Sequence, residues 1–442
     1  MMSWLKWLYP GLRIKRWLIL ITAGFLFIFL GLLLATRLEV LFDLLRWARD
    51  WTRGRLDSPA APFLGLFSLA LGIGLAAFGL QQLIRSIVQV VLPRPPADLV
   101  DIIYHQRSLK KGPKIVAIGG GTGLSVLLRG LKEYTSNITA IVSVADDGGS
   151  SGRLRGELGI LPPGDLRNCL IALADGEKLM EELLGYRFQN GATLAGHSVG
   201  NLLLAGLAEL RGDFHQALRE LSRVLAIRGQ VIPATLTPPV LGAELVDGEI
   251  LWGQSKIAHS PRRIKRVFLE PGDCRALPEA LAAIREADLI ILGPGSLYTS
   301  VIPNLLIGEI REALLAAAAP VVYVCNVATQ PGETSGYTAS QHVQALREHG
   351  GEHLVDIVVV NTAKPRQLLP SQHPELVTVD YRELRRLGLQ VVSGDVIDHQ
   401  LGVRHDARQL GRLLIQLLFR QKGRRQDRFR MLGVYWRERF QR

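Results

Sequence analysis

A chain of 442 residues with a formal net charge of +12 has room for more than one domain and for a sizeable core. The charge sits at the ends: residues 1–97 hold 11 Lys/Arg against 4 Asp/Glu and residues 421–442 hold 8 against 2, so the stretch between them is close to neutral. A neutral body without a nucleic-acid-binding motif excludes nucleic acid as its expected partner, and Cys169, Cys274 and Cys325 form no C-x-x-C pair and have no metal-ligand spacing.

Residues 17–36 and 63–84 each run without a charge for long enough to cross a bilayer as a helix. Trp4, Trp7, Tyr9 and Trp17 flank the first run as interfacial anchors would. Residues 1–97 therefore read as a membrane anchor with two transmembrane helices. The expectation is a multi-pass protein of the cell (inner) membrane with its globular domain in the cytoplasm. Lipid would be its partner, through the spans and through the basic tail 421–442, which reads equally as a solvated tail or a surface helix. Pro93-Arg94-Pro95-Pro96 breaks the second helix, and 98–112 reads as a linker.

From residue 113 to 420 the pattern is α/β. Val/Ile-rich runs predict strands at 114–119, 138–145, 264–269, 288–292, 320–325, 354–361 and 389–393, with helices between most of them. Continuous apolar strands are buried on both faces, which predicts a doubly wound parallel sheet covered by helices. Val231–Thr235 and Glu249–Gly253 alternate more, and predict a small antiparallel insert. The body ends with a helix over 407–419.

Ligands of such sheets sit at the carboxyl ends of the strands, so the polar residues that fall there are the candidates. After the first strand come Gly119, Gly120, Gly121, Thr122 and Gly123, then Leu/Val at helical spacing. Glycines there let the backbone approach a ligand, and the helix behind them offers free N–H groups and a positive dipole end, which suits phosphate. The letters match neither G-x-G-x-x-G nor the P-loop, so the turn is of a non-standard kind. The second strand leads to Asp146-Asp147-Gly148-Gly149-Ser150-Ser151-Gly152-Arg153. Asp146 and Asp147 are placed to hold Mg²⁺ or a ribose hydroxyl, or simply to make an Asx-turn; Ser150, Ser151 and Arg153 are placed for phosphate oxygens.

Asp165 either caps the following helix or joins the site, with Arg167 and Asn168 in its first turn. Gly196-His197-Ser198-Val199-Gly200 has the letters of a serine-hydrolase elbow but lacks the hydrophobic strand that motif needs. It reads instead as a loop feeding a helix, with His197, Ser198 and Asn201 facing the cleft. Gly293-Pro294-Gly295-Ser296-Leu297-Tyr298 repeats the pairing of glycine turn and hydroxyls, and Tyr298 is a candidate to stack on a base. Asn326, Gln330, Glu333 and Thr334 follow the next strand as amide, carboxylate and hydroxyl groups for a base edge or sugar.

Taken in order, these five motifs resemble the YvcK family of gluconeogenesis factors, which is related to the CofD 2-phospho-L-lactate transferases. The resemblance covers roughly 113–420 and leaves the two apolar runs and the tail outside. It implies a Rossmann-like body that binds a nucleotide diphospho-sugar of the UDP-N-acetylglucosamine type. It also implies a regulatory role in cell shape, envelope synthesis and gluconeogenic growth, without settled turnover. In the transferase branch it implies Mg²⁺ held by residues matching Asp146 or Asp147, and Asp146, Asp147 and Asp165 are then the catalytic candidates of a phospho-lactyl transferase. Protein partners and self-association are left open.

Overall fold

The computed structural model describes residues 42, 43, 46, 47, 50, 107–175, 178–191, 193–365, 375–400 and 404–422. The chain divides into Met1–Ser108 and Leu109–Arg442, and every element below belongs to the second unit. Its ten strands are β1 (Ile115–Gly119), β2 (Ile138–Val142), β3 (Gln230–Pro233), β4 (Val240–Leu245), β5 (Ile250–Trp252), β6 (Ile264–Glu270), β7 (Leu289–Leu292), β8 (Val321–Val324), β9 (Ile357–Asn361) and β10 (Gln390–Gly394).

Seven of them form one sheet in the order β10-β9-β8-β7-β1-β2-β3, and all six pairings are parallel. The winding starts at β1, moves outward through β2 and β3, and then resumes on the other side of β1 with β7. This is the doubly wound arrangement, and the reversal opens a crevice between β1 and β7 at their carboxyl ends. The paired central strands are apolar at every position, because both faces are covered. Val116, Ile118, Ile290 and Leu292 enter one core layer, while Ile115, Ala117, Leu289 and Ile291 enter the other. Each fully buried Ile or Leu contributes about 1.5–3 kcal/mol relative to exposure, so the strands that frame the crevice are firmly held.

Two strand expectations are corrected. The 264–269 run, expected in the parallel sheet, is β6, and it pairs antiparallel with β4 in the order β5-β4-β6. Its alternation was the signal: Ile264, Val267 and Leu269 are buried while Lys265 and Arg266 are exposed and pair with Glu244. Conversely, Val231 and Ile232 belong not to the insert but to β3, the edge of the parallel sheet, where Val231 faces one core layer and Ile232 the other. The Glu249–Gly253 expectation matches β5.

The last helix, Ala407–Lys422, runs three residues beyond the expected end and packs on the Gly121–Leu131 helix. A Cβ on Gly130 would lie 1.9 Å from the carbonyl oxygen of Ala407, so the two backbones cross where only glycine fits. The multi-pass placement in a membrane is corrected by the finding that, among the described residues, no helix is long and apolar enough to cross a membrane. The two runs at 17–36 and 63–84 lie outside the described residues, as do 1–41, most of the linker and all of the tail beyond Lys422.

Candidate functional site

The crevice is lined by two interleaved glycine turns. Gly293 N–H donates to the Ile118 carbonyl at 2.8 Å, which draws the turn after β7 against the end of β1. A Cβ on Gly123 would stand 2.5 Å from the Pro294 carbonyl oxygen, and one on Gly119 would stand 3.7 Å from the α-carbon of Gly293. Gly121, at φ 66°, turns the chain into the Gly121–Leu131 helix. That helix has Gly120 as its N-cap, no side-chain cap and no acidic residue in its first turn. Thr122 is exposed at its start. The Gly149–Leu158 helix begins the same way, with Gly148 as an uncapped N-cap. Two helix starts with glycine at the N-cap therefore face one end of the sheet, the first with its Gly121 N–H turned to Asp165.

The carboxylates do not divide as the sequence suggested. Asp147 accepts the Ser255 N–H at 2.8 Å and is covered by Gly253, so it anchors the Gln254–His259 helix. Asp146 accepts the Gly148 N–H at 3.0 Å and the Ser151 hydroxyl, yet burial still raises it above the usual carboxylate range, with Asp147 adding to the rise. Asp165 faces it from the Pro163–Leu173 helix. Burial first, and then Asp146, push Asp165 up to about 7, against the opposing pull of the Gly121 N–H and Arg167. A Cβ on Gly120 would stand 2.8 Å from Asp165 Oδ2. Asp146 thus has two carboxylate neighbours: Asp147 raises it, and it raises Asp165.

Two carboxylates suit a hard divalent cation such as Mg²⁺, which ordinarily takes one or two protein oxygens and completes its shell with water or phosphate. Among the described residues no group of three or more His, Cys, Asp or Glu converges to hold a metal alone. The pair fits Mg²⁺ only in company with a ligand's oxygens.

Beyond the pair lies a buried polar cluster. Ser150 Oγ accepts from Asn201 Nδ2 at 2.9 Å and lies 2.9 Å from His197 Nδ1. Ser198 caps the Val199–Arg211 helix by accepting the Asn201 N–H at 3.2 Å, and it also receives Arg167 Nη1. Arg167 Nη2 donates to Asn168 Oδ1 at 2.7 Å. Burial first, with Arg187 beside it, lowers Arg167 to about 10. Burial also lowers His197, helped by Arg153 and Arg187.

The second glycine turn is braced from below. Asn326 bonds both ends of Gly295, accepting its N–H at 3.3 Å and donating to its carbonyl at 2.9 Å. Gln330 Nε2 donates to Ser296 Oγ at 3.0 Å, and the Gln330 N–H donates to Thr334 Oγ1 at 2.9 Å. Glu333 is buried with both oxygens engaged, by the Thr299 hydroxyl at 2.6 Å and the Tyr298 N–H at 3.0 Å. Tyr298 is corrected from a stacking platform to a core residue. It is 2 % exposed, its hydroxyl lies 3.1 Å from that of Tyr337, and its ring meets Tyr337 and His349 edge-on. These residues shape the turn rather than face outward from it.

Sequence reasoning missed Asn304, which is fully buried and donates from Nδ2 to the carbonyls of Ser300 at 2.8 Å and Gly119 at 3.3 Å, tying the two turns together. Its signal was a lone amide in the apolar run Ile302-Pro303-Asn304-Leu305. It also missed Ser255 and Arg187, which no local pattern marks.

Fold and site together define a doubly wound α/β protein with a glycine-lined crevice at its switch point and a carboxylate pair beside it. The family model described as 2-phospho-L-lactate transferase CofD matches residues 115–397. The gluconeogenesis factor of Bacillus subtilis is 51% identical over 313 residues, covering 69% of this chain and 98% of the relative. A relative from Nostoc sp. that carries the same name provisionally is 47% identical over 427 residues, covering 94% of this chain and 92% of its own. A crystal structure of a UPF0052-family protein from Bacillus halodurans superposes with a TM-score of 0.65 at 49% identity, covering 69% of this chain and 99% of that one. The chain belongs to the CofD family, in its gluconeogenesis-factor branch.

Proposed function

We propose that this chain binds a nucleotide diphospho-sugar of the UDP-N-acetylglucosamine type in the crevice between β1 and β7 and acts as a regulator of carbon flow toward gluconeogenesis and envelope synthesis. The observation that carries the reading is the pair of glycine-capped helix starts, Gly121–Leu131 and Gly149–Leu158, at one end of the sheet with no side-chain cap on either. The positive ends of two helices favour the two charges of a diphosphate, and at the first of them Asp165 already takes the Gly121 N–H. The interleaved turns at Gly123 and Gly293–Gly295 leave backbone alone at the floor, where phosphate oxygens can approach closely.

A second reading is favoured by one feature, the coupled pair Asp146 and Asp165. With a Mg²⁺ ion they would neutralise charge on a transferred phospho-lactyl group, as the name of the matching family model suggests. Calorimetric titration of the full chain with UDP-N-acetylglucosamine, with and without Mg²⁺, followed by analysis of the recovered ligand, decides between the two. Binding in both conditions with ligand intact supports the regulator. Binding only with Mg²⁺, or altered ligand, supports the transferase, and no binding in either condition refutes the nucleotide-sugar reading.

A further inference from the structure

A cavity of about 410 Å³ opens at the amino end of the parallel sheet, the end opposite the crevice. Its wall includes Lys114, Asn137 and Asp288, the residues that immediately precede β1, β2 and β7. All of its lining belongs to the unit Leu109–Arg442. β1 is five residues long, so at about 3.3 Å per residue roughly 16 Å of strand separates the cavity from the glycine turn. The turn 110–113 on the cavity's rim is pinned in place. Asn137 Nδ2 donates to the carbonyls of Lys110 at 3.0 Å and Gly112 at 2.7 Å, and the Thr135 hydroxyl donates to the Pro113 carbonyl at 2.9 Å. A Cβ on Gly112 would stand 2.5 Å from Thr135 Oγ1, so the turn lies directly against its support.

The charges of the lining do not balance. Lys114 Nζ pairs with Glu286 at 2.7 Å, and Asp288 Oδ2 accepts the Lys114 N–H at 2.8 Å. Lys110 and Lys111 are exposed, and among the described residues neither is in an ion pair. Three ammoniums thus stand against two carboxylates, and the surplus lies on the pinned turn. The last helix, Ala407–Lys422, supplies the apolar part of the lining, with Leu418 buried and Phe419 half-buried. Adjacent ammoniums are point charges suited to phosphate oxygens, and an apolar wall beside them favours a ligand whose remainder leaves water there. The volume lies within the range of small-molecule sites, about 300–1,000 Å³.

We propose that this cavity binds a phosphomonoester carried on a short apolar or aromatic body, its phosphate held by Lys110 and Lys111 and its body set against Leu418 and Phe419. The ligand stands at the starts of β1 and β7, the two strands whose other ends carry the glycine turns. None of the residues that hold it lines the crevice, so the proposal does not rest on the nucleotide-sugar reading.

The test titrates phenyl phosphate and, separately, inorganic phosphate into the full chain at constant ionic strength, read by calorimetry. Phenyl phosphate is expected to bind about tenfold more tightly than inorganic phosphate, because only the ester has a body for the apolar wall. The Lys110→Gln/Lys111→Gln double variant keeps the backbone carbonyls that Asn137 holds, and is expected to bind both probes about tenfold more weakly. Phe419→Leu is expected to weaken phenyl phosphate about threefold and to leave inorganic phosphate unchanged. If Phe419→Leu does not fold, the lysine variant decides alone. No binding of phenyl phosphate to the unaltered chain overturns the proposal. So does an affinity that the lysine variant leaves unchanged, which places the anion elsewhere, the glycine turns included. Phosphatidic acid vesicles added as a competitor tell the source of the phosphate: lysine-dependent displacement of phenyl phosphate assigns it to a lipid head group, and no displacement assigns it to a soluble compound. The lysine comparison stands whether or not UDP-N-acetylglucosamine binds, so the two proposals fail separately.

Discussion

Replacing Asp165 by Asn removes a charge that the fold holds against its preference. The carboxyl is raised from 3.8 to about 7 by burial and by Asp146. Between those values the native state binds the proton that the unfolded chain has released, so stability falls as pH rises from about 4 to 7, and above pH 7 the cost is complete. About three pKa units at 1.36 kcal/mol each give a ceiling of roughly 4 kcal/mol, and the partial exposure of the side chain reduces this to roughly 2 kcal/mol. An Asn keeps an oxygen for the Gly121 N–H, so that bond survives the change. Urea denaturation of the full chain and of Asp165→Asn, at pH 4 to 8, measures the difference directly. The variant is expected to match the parent at pH 4 and to exceed it by about 2 kcal/mol at pH 8. Taking the difference matters because His405, lowered to about 4 by burial, acts in the opposite direction over nearly the same range. A difference that does not grow with pH would refute the reasoning.

Other outcomes follow from the same geometry. Gly123→Ala drives a methyl against the Pro294 carbonyl, and is expected to destabilise by about 1–3 kcal/mol and to abolish nucleotide-sugar binding; a shift in urea midpoint and calorimetry check the two effects. Gly206→Ala, in the middle of the Val199–Arg211 helix where a Cβ meets nothing within 4 Å, is expected to stabilise by about 0.5–1 kcal/mol on the same urea scale, which makes it the control. Glu333→Ala leaves the Thr299 hydroxyl and the Tyr298 N–H without their acceptor, and is expected to cost about 2–3 kcal/mol in denaturation. His405→Gln removes the group that must be neutral when folded, so the fall in stability between pH 6.5 and 4 is expected to flatten.

The sheet was legible because its central strands are short, nearly continuous apolar runs, and β1 and β7 lead straight into glycine. The glycine turns at 119–123 and 293–295 were legible for the same reason, since position after a strand is a local property. What was not legible depends on partners far along the chain. Asp146 and Asp147 look equivalent in the sequence, and only the Gln254–His259 helix, which claims Asp147 through Ser255, makes them different. Tyr298 sits where a ring could face a ligand, but the π-helical turn Leu297–Val301 carries it into the core, and a single extra residue per turn leaves no mark in spacing. β6 reads as a parallel-sheet strand by its hydrophobicity, and only its alternation of buried and exposed residues marks the antiparallel sheet.

The crossing of Gly130 and Ala407 bears on how the molecule is made. The first strand, turn and helix leave the ribosome early, and Pro163–Leu173 packs on that helix soon after, but the side that carries Gly130 is covered by Ala407–Lys422, nearly three hundred residues further along. Until that segment emerges, the Gly130 side of Gly121–Leu131 lacks this cover. Such a late, long-range closure makes completion of the fold a post-translational event and slows it. A nascent chain cut off before residue 407 is therefore expected to hold a formed sheet while its first helix remains open to proteases and chaperones.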